Sequence, residues 1–209
     1  MIRVAPEGWP FILGAWVVAI ALWVFSPLWL AVVWTLVAVW VVAFFRDPVR
    51  QGPRGDNVVI APADGVVVSV KNLDEAEYVK DRTTRVSIFM NVFNVHVNRY
   101  PVSGKIEYRN YNKGSFGHAG TEKASLENEQ STLGIATARG RVLVRQIAGL
   151  IARRIVTDHG VGTDVVQGER MGIIRFGSRV DIFVPATARI LVHEGDKTVA
   201  GQTVVAQWD

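Results

Sequence analysis

The feature that most restricts the fold of this chain is the stretch from Trp9 to Phe45, which contains no charged residue. It holds Trp9, Trp16, Trp23, Trp29, Trp34 and Trp40 among Val, Ala, Leu and Ile. A membrane span takes about 20 apolar residues, so the run is too long for one crossing. Ser26-Pro27 interrupts it near its middle, where proline disfavours helix at the residue before it. The pattern predicts two apolar helices, 10–25 and 28–45, folded as a hairpin. Each is short for a full crossing, so spanning and re-entrant hairpins both fit. Arg3 precedes the first helix, and Arg46, Arg50 and Arg54 follow the second. Positive flanks favour the cytoplasmic side, which predicts a cell-membrane anchor with the remaining domain on the cytoplasmic face. A signal peptide is the alternative, but its apolar core is about 7–15 residues, and no small-x-small cleavage site is evident.

The apolar run explains why a chain of 209 residues is 49% hydrophobic with a mean hydropathy of +0.21. What is left is enough for one further domain. The absence of cysteine excludes disulfides, thiolate catalysis and Cys-based zinc sites, and no metal site is expected. The net charge of +4 suits an anionic membrane face, with the Arg46-to-Arg54 cluster placed to contribute. Nucleic-acid binding would require a denser basic patch with interleaved aromatics, and none is expected.

Beyond residue 55, short runs rich in Val, Ile, Phe and Thr alternate with Gly, Asp, Asn and Pro, the pattern of an all-β domain. The expected strands are Val58–Ile60, Val66–Lys71, Arg85–Met90, Lys105–Tyr111, Thr132–Ala138, Arg141–Ile147, Arg170–Arg175, Val180–Val184, Ala188–Val192 and Thr203–Ala206. Arg139-Gly140 reads as a hairpin turn. The polar stretch from Lys113 to Gln130 is longer than an ordinary connection and reads as a functional loop or lid. Gly162–Glu169 resembles Gly195–Gln202, each copy reading as strand, glycine turn, strand. The expected fold is mainly β, a β-sandwich or barrel-sandwich-like domain with an internal repeat, preceded by an apolar α-helical hairpin. The expected boundaries are 1–46 for the hairpin, 47–57 for a linker and 58–209 for the β domain. Biotinyl and lipoyl carrier domains share such a repeat, but their Met-Lys-Met tip is missing here, so a carrier function has no support.

Gly177-Ser178 lies between two β-like runs, Gly172–Phe176 and Arg179–Pro185. The plain reading is a hairpin turn with Ser178 in solvent. A second reading is chemical. A serine hydroxyl can attack the carbonyl of the preceding residue to give an ester, and β-elimination followed by hydrolysis leaves a pyruvoyl group. Glycine before the serine leaves the approach open, and the serine needs a base and oxyanion donors. Asp64, in Ala61-Pro62-Ala63-Asp64-Gly65, and His96, in a segment with Asn91, Asn94, Asn98 and Arg99, can supply a base. Each alone also reads as structural, the first as a routine Asp-Gly turn. His118 sits in the polar loop, where it can close over a site. His159 and His193 flank the repeat turns and read as surface residues.

Four motifs together carry a resemblance: Phe176-Gly177-Ser178-Arg179-Val180-Asp181, the Pro62-Ala63-Asp64-Gly65 turn, Val95-His96-Val97-Asn98-Arg99 with Pro101 and Gly104, and Lys123–Glu129 with Glu127 and Asn128. In this order they resemble the phosphatidylserine decarboxylases, in their short bacterial and archaeal form. The resemblance implies a proenzyme that cuts itself between Gly177 and Ser178 into a β chain, 1–177, and an α chain, 178–209, which stay associated. It implies a covalent pyruvoyl cofactor derived from Ser178 and a Ser178, His96, Asp64 arrangement. It also implies decarboxylation of phosphatidylserine to phosphatidylethanolamine through a Schiff base. His118, Arg99 and Asn94 are candidates for substrate or lid contacts. Arg99 stands where longer members have a second histidine, so the division of His96 between self-cleavage and decarboxylation is open. The implied partners are a phospholipid, an anionic membrane and the two cleaved chains, with a homo-oligomer not excluded. A pyruvoyl enzyme of a soluble amino acid and a non-enzymatic membrane-anchored adaptor are the alternatives.

Overall fold

The computed structural model describes residues 2–114, 128–149, 154–175 and 178–209. The polypeptide forms two compact units, Met1–Val49 and Arg50–Asp209. In the first, strand β1 (Ile2–Val4) leads into helices α1 (Trp9–Phe25) and α2 (Leu28–Phe44), and β2 (Arg46–Pro48) returns antiparallel to β1. The break between the helices comes where the sequence places it: both the backbone N–H and the hydroxyl of Ser26 donate to the Leu22 carbonyl, and Pro27 opens α2. Small side chains let the helices approach, with Ala19, Ala31 and Ala38 fully buried. The large apolar side chains point outward, and Trp9, Trp23, Trp29 and Leu36 are each more than half exposed. The indole of Trp23 donates to Thr35 Oγ1 at 3.1 Å and that of Trp34 to the Ala15 carbonyl at 2.9 Å. An apolar exterior with internally satisfied polar groups is what lipid demands. Pro6–Phe25 is long and apolar enough to cross a membrane, and the hairpin is compatible with membrane association.

The second unit is mainly β. Its strands are β3 (Val58–Ile60), β4 (Gly65–Glu75), β5 (Asp81–Met90), β6 (Val97–Arg99), β7 (Gly104–Asn112), β8 (Gln130–Thr137), β9 (Gly140–Ala148), β10 (Ile155–Thr157), β11 (Asp164–Val165), β12 (Arg170–Ile174), β13 (Ser178–Pro185), β14 (Arg189–Ile190), β15 (Lys197–Thr198) and β16 (Val204–Gln207). Eight of them form a curled antiparallel sheet in the order β11-β7-β8-β9-β13-β5-β4-β15. Two three-stranded sheets, β10-β12-β6 and β14-β16-β3, complete the unit. Alternation places Val180, Ile182 and Val184 of β13 on the same side as Val86 and Ile88 of β5 and Val142 and Val144 of β9, in one buried apolar core. Longer expected strands are found with ends shifted by a few residues, and Gly140 (φ +130°) closes the β8–β9 hairpin as its Arg139-Gly140 signal predicted.

The other face of β13 carries Arg179 and Asp181, which form a bidentate pair at 2.6 and 2.7 Å and are 2% and 0% exposed. Removing one partner of a buried pair costs about 3–5 kcal/mol. Asp181→Asn should therefore lower the unfolding free energy by about that amount in detergent-solubilised protein followed through a denaturant titration. A change within about 0.5 kcal/mol would show that the pair does not hold β13.

The internal repeat is a structural pseudo-twofold. Asp196 O accepts from Val67 N–H, and Gly195 N–H donates back to Val67 O; Thr163, Gly162 and Ile106 repeat this pair of bonds. Gly201 N–H donates to Ala61 O at 2.9 Å, and Gly168 N–H to Tyr100 O at 2.8 Å. Gly168 and Gly201 hold φ of +85° and +76°, a region L side chains avoid. The stretch expected as a linker makes contacts of its own. Arg54 donates to Gly201 O at 2.8 Å, and Gly55 N–H to Gln167 Oε1 at 3.0 Å. Arg50, expected at the membrane face, is 16% exposed and bonds Asp64 instead.

Candidate active site

Ser178 is the first residue of β13, between Met90 of β5 and Ala148 of β9, and is 0% exposed. The hairpin-turn reading of Gly177-Ser178 is thereby corrected. β12 and β13 lie in different sheets, so the chain changes sheet between Ile174 and Ser178 and brings the serine inside. Gly177 and His118 fall outside the described residues. The Ser178 hydroxyl donates to the Met90 thioether at 3.3 Å. Sulfur is a weak acceptor, so the proton is loosely held.

His96 is also 0% exposed. It precedes β6, whose Val97 and Asn98 pair with Ile173 and Gly172 of β12. Its Nδ1 lies 3.1 Å from the Asn94 carbonyl oxygen. A carbonyl cannot donate, so Nδ1 carries a hydrogen and donates it to Asn94. The turn that sets this carbonyl is fixed by Asn91 N–H to Asn94 Oδ1 and Phe93 N–H to Asn91 Oδ1, both at 2.8 Å. Asn94 thus bears on the site through its backbone, a role its side chain does not advertise in the sequence.

Asp64 sits in the turn before β4. Arg50 donates to Oδ2 at 2.7 Å and the Ala200 N–H to Oδ1 at 2.8 Å. The hydrogen bonds of Asp64 and of His96 Nδ1 therefore run to partners other than each other. The two motifs meet through the backbone, where Arg99 N–H donates to Pro62 O at 2.9 Å. The pseudo-twofold supplies an internal comparison, because Ser103 Oγ accepts from Gln167 N–H at 2.9 Å where Asp64 accepts from Ala200 N–H. A hydroxyl is enough to cap this turn, so the backbone bond alone does not call for a carboxylate at 64, whose second oxygen pairs with Arg50. The Arg99 guanidinium is directed at the repeat turn and donates to Gly168 O at 3.1 Å. Beside it, burial pushes the Tyr100 phenol well above its ordinary range, and the neutral hydroxyl lies 3.0 Å from His159 Nδ1. His193 is exposed, as expected.

The residues missed by sequence reading are Met90, Gln146 and Thr157. Asn98 bonds Met90 Sδ at 3.6 Å and accepts from Gln146 at 2.8 Å, and Thr157 donates to Gln146 at 3.0 Å. The three come from three different strands, β5, β9 and β10, so no local motif announces them. Among the described residues no group of three or more His, Asp or Glu side chains is placed to hold a metal.

The profile of the phosphatidylserine decarboxylase family matches residues 37–206. A phosphatidylserine decarboxylase proenzyme of Geobacter metallireducens is 46% identical over 208 residues, covering 97% of this chain and 95% of its own. Proenzymes of the same description from Xanthobacter autotrophicus and Nitrosomonas eutropha are 49% and 48% identical, covering 98% of this chain and 89% and 95% of theirs. The similarity runs through the Asp64 turn, the His96 segment and the strand that opens at Ser178, and the chain is an enzyme of the phosphatidylserine decarboxylase family.

Proposed function

We propose that this protein decarboxylates phosphatidylserine to phosphatidylethanolamine and carbon dioxide, using a pyruvoyl group that it makes from Ser178 by cutting the Gly177–Ser178 bond. The observation that carries the reading is the burial of Ser178 at the head of a central strand, its hydroxyl held by nothing stronger than a thioether. A serine of a surface turn would face water.

In the cleavage, Ser178 Oγ bonds to the Gly177 carbonyl carbon and gives its proton to His96 Nε2. The carbonyl oxygen takes the electron pair. Collapse breaks the carbon–nitrogen bond, the nitrogen takes a proton, and an ester remains. Loss of the Ser178 α-proton expels the Gly177 carboxylate. Water then replaces the nitrogen, which leaves as ammonia, and residue 178 becomes the pyruvoyl cap of the 178–209 chain. The burial and the strand-end position of Ser178 suit such a cap, which needs a dry site and a fixed backbone. The group supplies an electron sink for the carbanion left when carbon dioxide departs. The Asn94 carbonyl accepts from His96 Nδ1, so the neutral ring has its lone pair at Nε2, and Asp64 favours the positive charge that His96 acquires. The apolar hairpin keeps the enzyme at the bilayer, with the catalytic domain on the cytoplasmic face, because a diacyl lipid gains about 0.8 kcal/mol per buried CH₂ and does not readily leave. Domain limits of 1–46, 47–57 and 58–209 belong to this reading. The exposed apolar helices favour a lipid over a soluble amino acid as substrate.

The Asp64–Ser103 comparison provides the test. Asp64→Ser should retain the turn, since serine accepts the Ala200 N–H, but it leaves Arg50 without its carboxylate, so the comparison is made well below the melting temperature of the variant, where it should cut itself at least about 10-fold more slowly than an Arg50→Ala chain that loses the same ion pair but keeps the carboxylate. Time courses on denaturing gels read the rate. Normal cleavage would remove Asp64 from the machinery. Phosphatidylserine vesicles against free serine, assayed with processed enzyme, decide the substrate.

A further inference from the structure

Several strand ends of the β domain meet near His96, and they carry a row of aromatic and basic side chains. Ile174 N–H donates to His96 O at 3.4 Å and Arg175 N–H to Arg154 O at 3.3 Å, so the segments before β6, after β12 and before β10 run side by side. Ile155 N–H donates to Glu129 Oε1 at 3.4 Å, and the same oxygen accepts the Tyr111 hydroxyl at 2.8 Å, which adds the end of β7. Phe93, Arg175, Arg154 and Tyr111 therefore stand on neighbouring strand ends in that order. Phe93 is 72% exposed and Tyr111 54%, Arg154 is exposed and Arg175 half-buried. The acidic member, Glu129, is buried beneath them.

A single exposed apolar side chain is ordinary. Phe93 differs in how it is held. Asn91 N–H donates to Asn94 Oδ1 and Phe93 N–H to Asn91 Oδ1, both at 2.8 Å, and Asn94 N–H donates to Asn91 O at 3.0 Å. A closed turn, rather than a loose loop, thus presents the ring to the outside. Aromatic rings beside guanidinium groups suit a membrane surface, where the rings sit at the level of the headgroups and the cations meet anionic lipid. A second copy of this chain laid on the same face would set arginine against arginine, which like charges disfavour. The charge of the row therefore favours an anionic bilayer as its partner.

We propose that this row docks the catalytic domain on an anionic bilayer, with Phe93 entering the headgroup layer, Tyr111 beside it, and Arg154 and Arg175 meeting lipid phosphates. The apolar hairpin tethers the chain to the membrane, and the row decides which end of the β domain faces the lipid. That end is the one that holds the site. His96 follows Phe93 by three residues, and Ser178 pairs with Met90, the residue before Asn91. Docking by this end lets a headgroup approach the site while its acyl chains stay in the bilayer, where burial of each CH₂ holds them. The choice of a lipid surface rests on the phosphatidylserine reading above and adds to it the face that meets the substrate.

The chain contains no cysteine, so one introduced thiol reports on one place. Full-length Phe93→Cys and Val161→Cys chains are made by cell-free synthesis in the presence of vesicles of phosphatidylcholine and phosphatidylglycerol, then labelled with a nitrobenzoxadiazole fluorophore. Val161 is 62% exposed and lies beyond the opposite end of β10. The label at 93 should be quenched by lipids carrying nitroxides on their acyl chains and protected from aqueous iodide, and the label at 161 should behave in the opposite way. Adding Arg154→Ala to the Phe93→Cys chain should lower the ratio of lipid-facing to water-facing label about 5-fold, the counterpart of the roughly 1 kcal/mol that a basic residue gains at an anionic surface. Arg154→Lys, which keeps the charge, should restore the ratio. Equal iodide quenching at 93 and 161 overturns the docking face, and an Arg154→Ala chain with an unchanged ratio overturns the part given to Arg154. These vesicles contain no phosphatidylserine, and denaturing gels of the same samples report the cut. An iodide-exposed label at 93 on a chain that cuts itself and decarboxylates phosphatidylserine removes this face and leaves the function. A lipid-buried label on a chain that stays whole does the converse.

Discussion

Ser178→Ala should leave the chain in one piece and remove decarboxylation altogether. Alanine fits the site occupied by Ser178 between Met90 and Ala148, and only the hydroxyl bonded to the Met90 thioether is lost. The fold should therefore survive, and its melting temperature should match that of the parent. In the proposed reaction the effect on chemistry is total, because the hydroxyl would be both the nucleophile of the cut and the precursor of the cofactor. No neighbouring group can replace it in both roles. A denaturing gel and a carbon dioxide release assay read the two losses separately. Fragments from Ser178→Ala would mean that another nucleophile cuts the chain.

His96→Ala should have the next largest effect, slowing the cut by about 10²–10⁴-fold, the usual contribution of a positioned general base. His96 is fully buried, and its Nδ1 is held by the Asn94 carbonyl; the proposed reaction uses Nε2 as the proton acceptor. Water in the vacated space is a far weaker base. The same variant separates the two steps in which a proton must move. If material left long enough to cut completely is still unable to decarboxylate, His96 also serves the carbanion. A variant that cuts at the parental rate but does not decarboxylate would confine His96 to the second step.

The sequence makes some of this legible and hides the rest for physical reasons. An uncharged run broken by Ser26-Pro27 has few folds open to it, so α1 and α2 appear within a residue or so of expectation. Long alternating strands such as β5 and β13 announce themselves in the same way. Strands β6 and β10 have three residues each, too few to show a period, and β6 is the one that His96 leads into. Gly177-Ser178 looks like a surface turn because a dipeptide does not say that its flanking strands belong to different sheets. The glycine turns of the repeat are visible since both copies need positive φ at Gly168 and Gly201. The equivalence of Asp64 with Ser103 is not, because two different side chains accept the same backbone bond. The Asn98–Gln146–Thr157 chain joins three strands far apart in the sequence, so only the folded register reveals it. Arg50 reads as a membrane-facing charge from its neighbours in the chain, and its partner Asp64 is supplied by the fold.

The claim on which the rest depends is that residue 178 of the mature protein is no longer a serine. Intact mass analysis of protein purified from its own cells or an expression host measures this directly. The account predicts two chains, the smaller spanning 178–209 and lighter by one ammonia than the same fragment with an amino-terminal serine, and resistant to stepwise amino-terminal sequencing. A single unbroken chain, or a fragment that begins with an ordinary serine, would contradict it.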